Sequence, residues 1–286
     1  MNKCLCVFFF ATIVQTYCEA FVPDSKFSRS PCRRRTCPSS TLLRGWLDNF
    51  LPEPIADNDD SKRRLEFPEQ YPAPYEMNAI SLESDKTVEA RAMRPLLKQT
   101  MLESRPLEII YDAEVHGWSP SSFHQRVDGR GAAVVVATYK VNSSTKVVGG
   151  YNPKGWASLS GARPSVAAFL FYQKEEITST ATKPGPVFQK LQKVGGGGLA
   201  CGNDDPRYGI SFGPDALVIS FLGEGQERNA SSKLGPYFER GPDNMSTLFE
   251  QNGGTVELNS LKVITGIYRQ DEDIPYSGAV MDMTSG

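Results

Sequence analysis

Cysteine and histidine carry most of the nucleophilic and metal-binding chemistry open to a protein, and this 286-residue chain uses them unevenly. Cys4, Cys6, Cys18, Cys32 and Cys37 fall in the first forty residues, and only Cys201 lies beyond them. A single cysteine builds neither an internal disulfide nor a thiolate metal cage. The body of the chain therefore reads as a protein of a reducing compartment, or one indifferent to redox state. Cys201 is its one candidate thiol nucleophile, with His116 and His124 as candidate bases, since such partners meet in space rather than in sequence. A small hydrolase or thiol enzyme built on Cys201 and a histidine is the alternative reading; a small, inert cysteine is the plainer one. With two histidines and no further thiol, a zinc site is not expected.

Other motifs fail on context. Gly195–Gly198 followed by Leu199 and Ala200 satisfies G-x-G-x-x-A. A dinucleotide site needs a buried strand before those glycines and a helix after them. Here a charged segment, 189–193, precedes them, and Cys201-Gly202-Asn203-Asp204-Asp205-Pro206 follows, which cannot open a helix there. No Gly-Lys-Ser/Thr follows either, so a phosphate-cradling P-loop is excluded. An EF-hand loop from Asp57 would place Gly at 62 and Glu at 68, where the chain has Lys62 and Pro68. Asp204 and Asp205 beside Pro206 read as a turn. No catalytic residue, cofactor or metal is expected on these grounds.

Charge narrows the partners. Residues 1–44 hold seven Lys/Arg against Glu19 and Asp24; removing them from totals of 31 and 33 leaves 24 basic and 31 acidic groups in residues 45–286. A body with a net charge near −7 is ill suited to nucleic acid, whose phosphates are neutralised by Lys and Arg. The N-terminus reads as an address. Lys3 precedes an apolar run, 4–14, and small residues near Ala20, the order of a secretory signal. That run is too short to span a bilayer, which needs about 20 residues. Residues 21–45 are rich in Arg and Ser and poor in acids, like an organelle transit peptide. Cleavage is expected between Ala20 and Phe21. The junction 18–23 resembles the bipartite targeting site of algae with complex plastids, where an aromatic directly follows the cut; Glu19 and Val22 depart from that pattern. Delivery to a plastid through the endoplasmic reticulum is the expectation. A secreted, glycosylated structural domain is the alternative, kept open by Asn-X-Ser sequons at Asn142, Asn229 and Asn244.

The elements that would position these residues follow from periodicity. Residues 46–83 recur in Pro and acid and read as a linker. Helical spacing begins near Ser84 or Asp85 as cap, with Val88, Ala92, Leu96 and Met101 on one side and Pro95 dividing the helix. A strand is expected at 107–111 and a short helix from Ser119-Pro120 through Phe123 and Val127. Strands are then expected at 132–139, 147–151, 166–172, 187–194, 208–212, 216–222 and 256–268. Short strands without βαβ alternation predict an α+β fold, a central antiparallel β-sandwich flanked by a few helices.

In order and spacing these features resemble a TLDc domain. The residues that carry the likeness are Ile109-Ile110-Tyr111, His116-Gly117-Trp118-Ser119 with Phe123, then 132–139, Val148-Gly149-Gly150-Tyr151, Trp156 and Ala168-Phe169-Leu170-Phe171. Tyr208-Gly209-Ile210-Ser211-Phe212 and the closing strand 258–268 complete it. The likeness spans about 85–269 within an expected domain at 84–269, followed by a flexible tail at 270–286; the Gly235–Pro242 stretch departs from the pattern, and a plant or algal type of the family is the expectation that would accommodate it. Segment 184–205 is longer and more basic than the pattern leads one to expect. The resemblance implies a non-enzymatic protein that acts through protein contacts in protection from oxidative damage. It also implies a proton-pump subunit as partner, which a plastid address would not suit. Trp156, Lys154 and Arg163 are the expected interaction surface; the other reading places Trp156 in the sandwich as a core plug. No membrane span is expected in the mature chain.

Overall fold

The computed structural model describes residues 57–77, 83–85, 87–174, 187–194, 204–249 and 252–276, all within one compact unit, Glu53–Gly286. The presequence with Ala20 and Phe21, the glycine run 195–198 and Cys201 lie outside the described residues.

The stretch read as a linker contains a helix, α1 (Asp57–Glu66), whose sequence DNDDSKRRLE places three acids at its start and Lys62, Arg63 and Arg64 in its second half, ahead of Glu66. That order suits the helix dipole, which is why a run that looks like a solvated loop folds as a helix. α2 (Val88–Met93) is capped by Thr87, whose side chain accepts from the Ala90 amide at 3.1 Å, not by Ser84 or Asp85. Val88 faces solvent rather than the expected apolar stripe. The helix tightens to a 3-10 turn at Arg94–Leu97, with Pro95 in its first turn, as the missing proline amide requires.

Asp85 serves as a counter-ion. Arg94 Nε and Nη2 donate to its two carboxylate oxygens at 2.7 and 2.5 Å, and the guanidinium also donates to the carbonyls of Leu102, Glu103 and Arg105. Both side chains are buried. The pair pins the helical layer beneath the start of β1 (Leu107–Asp112), whose Leu107 amide donates to Asp85.

α3 (Ala113–His116) and α4 (Pro120–Val127) follow, the latter capped by Ser119 as its sequence predicts. β2 (Ala133–Val141) and β3 (Ser144–Asn152) form a hairpin turning at Asn142, whose φ of 54° is left-handed, a conformation asparagine tolerates. Beyond them come β4 (Phe169–Gln173), β5 (Phe188–Gln192), β6 (Ile210–Phe212), β7 (Leu217–Ile219), β8 (Asn229–Ser231) and β9 (Thr255–Gly266). All pairings of these strands are antiparallel, in the order β5-β4-β3-β2-β9-β8-β7-β6, with β1 also on β9. β8 was not expected; three residues reading Asn-Ala-Ser carry no strand period.

Twelve residues long, β9 serves both halves of the sheet. Its first three residues pair with β8, and the rest pair with β2 on one edge and β1 on the other. The β6–β8 half packs over the larger half as a sandwich. Val135, Leu170, Phe212 and Ile219 lie in the core between the two halves. Val134, Val136, Phe169 and Phe171 face the opposite core, against Met93, Leu96 and Leu97. The large half is thus buried on both faces, so β2 reads as an unbroken apolar run rather than an alternation. The segment read as a tail begins packed: Glu272 bonds Arg105, and the Tyr276 carbonyl accepts from Arg163 at 2.6 Å.

Candidate functional site

α4 ends in a cluster of groups with chemical potential. His124 is on its last turn and Asp128 is its C-cap, so i, i+4 spacing aims both side chains the same way. His124 Nδ1 lies 2.8 Å from Asp128 Oδ1, and His124 Nε2 lies 3.0 Å from the Tyr208 carbonyl oxygen. The loop after β3 adds Ser158, whose hydroxyl donates to Asp128 Oδ2 and sits 3.2 Å from the same His124 Nδ1. Asp204 completes the cluster from the far side. Its Oδ1 accepts the Ala157 and Ser158 amides at 2.8 and 2.9 Å, and its Oδ2 accepts the Leu159 amide at 2.9 Å. Two main-chain bonds with Ser160 and Gly161 fix Asp204 in turn. This grip holds Ser158 and Ser160 at φ of 55° and 59°, which non-glycine residues adopt only when their surroundings impose it.

Serine, histidine and aspartate together invite comparison with a hydrolytic triad. Such a relay needs the nucleophile on one imidazole nitrogen and the carboxylate on the other. Here Ser158 and Asp128 share Nδ1, while Nε2 is committed to a carbonyl. The geometry is a hub that braces a loop, not a nucleophile–base relay. Burial disfavours the charged imidazole, but the Asp128 hydrogen bond, with its charge and that of Asp204, outweighs this and raises the His124 pKa. Asp205, by contrast, pairs with Arg207 and is held down to about 2 by its bonds to the Arg207 side chain and amide. Among the described residues, His124, Asp128 and Asp204 are the group whose donor atoms could hold a metal ion, all within 4.8 Å of one another. Sequence reasoning missed this set because it weighed zinc on histidines and thiols alone and read Asp204 and Asp205 as a turn; the His-x-x-x-Asp spacing at a helix end was the available signal.

The expected interaction surface is not a surface. Trp156, Lys154 and Arg163 are 0%, 3% and 5% exposed. Trp156 stands edge-on to Phe123 and Phe212 inside the sandwich, as the core-plug reading has it. Gly155 precedes it at φ 61°, with its Cα so close to the Gly131 carbonyl that a side chain there would overlap it. Lys154 Nζ lies over the Tyr276 ring at 5.3 Å, and Arg163 donates to the Tyr276 carbonyl. The cations that look free in sequence are tied to the segment after β9. Exposed in their place are Leu159 and the Tyr208 side chain, both beside the hub.

His116 stands apart from the hub: its Nδ1 accepts the Asp112 amide at 3.0 Å and caps its own turn. A second unexpected group is Lys190 on β5, buried with its ammonium donating to the Pro74 carbonyl at 2.9 Å and 4.9 Å from the Phe169 ring centre. Burial holds its pKa down at about 8. It borders a cavity of about 500 Å³ with Tyr75, Glu239 and Arg240. No helix of the described residues is long and apolar enough to cross a membrane.

No curated protein matches the chain. Residues 86–240, just over half its length, match the family model of the TLDc domain. The matched range takes in Arg94, all of the His124 hub and the glycines of β3, and the antiparallel sandwich is the architecture that match implies. The chain belongs to the TLDc domain family.

Proposed function

We propose that this TLDc protein acts through protein contacts in protection from oxidative damage, and not as an enzyme. Family membership supports the stress role, which is commonly linked to TLDc proteins. The observation that carries the non-catalytic reading is the His124 hub: the one Ser–His–Asp cluster among the described residues spends both imidazole nitrogens on holding its own loop. The plastid address, and with it a plant or algal type, belongs to the same proposal and rests on the residues around Phe21 and on the Arg- and Ser-rich, acid-poor composition of residues 21–45.

Cells deprived of the protein are challenged with hydrogen peroxide and complemented with wild type, Ser158→Ala or Cys201→Ser chains at matched abundance. Full protection by both variants is expected. Loss of protection by a variant that melts like wild type would reverse the reading in favour of catalysis. Location is tested by imaging a fusion of residues 1–50 beside its Phe21→Ala counterpart; secretion of both would defeat the plastid address.

A further inference from the structure

We propose that His124, Asp128 and Asp204 form a binding site for one divalent cation of the zinc type. The inference starts from the tautomer. The Tyr208 carbonyl can only accept, so His124 Nε2 carries a proton, and a neutral imidazole then points the Nδ1 lone pair at Asp128 Oδ1, 2.8 Å away. Two lone pairs at that distance repel unless a positive centre lies between or beside them. A proton on Nδ1 is one such centre; a metal ion is the other.

Three features favour the ion. First, the charge balance: Asp128 and Asp204 contribute two negative charges, and Asp204 and His124 are buried. One proton leaves the group negative, whereas a divalent ion with neutral imidazole closes the balance in a place where uncompensated charge is costly. Second, each ligand is held by an outer partner that orients it, as metal ligands require. His124 is held by the Tyr208 carbonyl, Asp128 by Ser158, and Asp204 by the amides of Ala157, Ser158 and Leu159. Asp204 keeps a free lone pair after those three bonds, since a carboxylate has about four acceptor positions. Third, the path of entry: the Asp128 side chain is 24% exposed and the other two ligands lie behind it. An open fourth position on that side would take water.

The donor set names the class. One imidazole nitrogen and two carboxylates suit zinc, cobalt(II) and their neighbours, whereas magnesium and calcium take oxygen ligands throughout. The ion would tie the end of α4 to the turn at Asp204, two segments far apart in sequence, and through the bonds of Asp204 and Asp128 it would steady the 157–161 loop. The site shares His124 with the hub on which the non-catalytic reading rests; an ion there would brace the same loop, and the two claims fail separately, this one in the titration below and that one in the peroxide challenge.

The test is titration of the purified full chain, stripped with chelator, with cobalt(II) and then zinc, followed by visible absorption and calorimetry. Wild type is expected to bind one ion with a cobalt ligand-field spectrum that zinc abolishes. The same ion should raise Tm. Asp128→Asn is expected to weaken binding by at least the ~10–100-fold that loss of even an outer-shell partner produces, while its melt in chelator confirms a folded chain. His124→Gln is expected to do the same. A sulfur-to-cobalt charge-transfer band would place the ion on cysteine and overturn the proposal. Absence of binding, or binding untouched by both variants, would leave the hub as a protonated histidine with its aspartates and overturn it equally.

Discussion

Gly150 and Phe212 meet across the sandwich with no space for a methyl group between them. A Cβ at position 150 would lie 2.7 Å from Phe212 Cζ and 2.9 Å from Leu170 Cδ2. The neighbouring Gly149 is confined on the other face, where a Cβ would lie 2.6 Å from Phe171 Cζ and 2.0 Å from the Val135 carbonyl oxygen. The paired glycines of β3 are therefore a packing device. They let aromatic rings from both cores approach the sheet directly.

Gly150→Ala is accordingly expected to destabilise the domain by about 1–3 kcal/mol, the range for overpacking a dense interior. Urea denaturation reads this out. Gly161→Ala is the comparison: its φ of 129° strains any side chain, yet nothing lies within 4 Å of the added atom. A larger loss at 161 than at 150 would show that backbone conformation, not ring packing, governs these positions.

Asp85→Ala strands a buried guanidinium. Removing one partner of a buried ion pair typically costs about 3–5 kcal/mol, because the other charge is left uncompensated. Replacing both residues, Arg94→Leu with Asp85→Leu, is expected to recover part of that loss. Recovery stays incomplete because Arg94 also satisfies the carbonyls of Leu102, Glu103 and Arg105. A double variant no better than Asp85→Ala would mean the carbonyl contacts dominate.

Asp204→Ala removes the acceptor for three amides at once. A loss on the order of 2–3 kcal/mol is expected, since unpaired donors carry their desolvation penalty. Hydrogen exchange locates it: the amides of Ala157, Ser158 and Leu159 should lose protection while those of β2 keep theirs. Unchanged exchange at the three amides would contradict the role given to this carboxylate.

Lys190 ties stability to pH. Its folded pKa of about 8 lies below the 10.5 of the free side chain. Between those values the unfolded chain binds more protons than the native one, so this group makes the native state more stable as pH rises through that window. At neutral pH it is a burden, and Lys190→Met is expected to be the more stable protein there by on the order of 2 kcal/mol. The advantage should shrink by pH 9.5, when wild type has shed the proton. Denaturant titrations at pH 7 and 9.5 test this. A gap that does not change with pH would assign the effect to packing instead.

Much of the scaffold could be read along the chain because it is set by local chemistry. Ser119-Pro120 announces α4, and the apolar continuity of residues 133–137 reflects the burial of β2 on both faces. The same local habits misled at Asp57–Asp60, where acids that look like a loop begin a helix, and at β8, whose three residues owe their strand character to β9. The site was harder. His124 and Asp128 are neighbours on one helix end, but the Tyr208 carbonyl that orients His124 lies 84 residues further on. Lys154 and Arg163 show the converse: their type signals exposure, and only the fold supplies the Tyr276 partner that buries them.

β9 has a consequence for how the molecule comes into being. It is the last of the described strands, yet it touches β1, β2 and β8, and among those strands no other ladder joins the two halves. During synthesis the β2–β3 hairpin and the β6–β8 meander must wait, each with an unsatisfied edge, until residues past 255 have emerged. Contacts of such long sequence separation form slowly. A nascent chain stalled before β9 would expose apolar faces and hold no sandwich, so a chaperone that shields it is an expected companion of its birth. The sandwich can therefore close only after residue 266 has been made, whatever has formed before it.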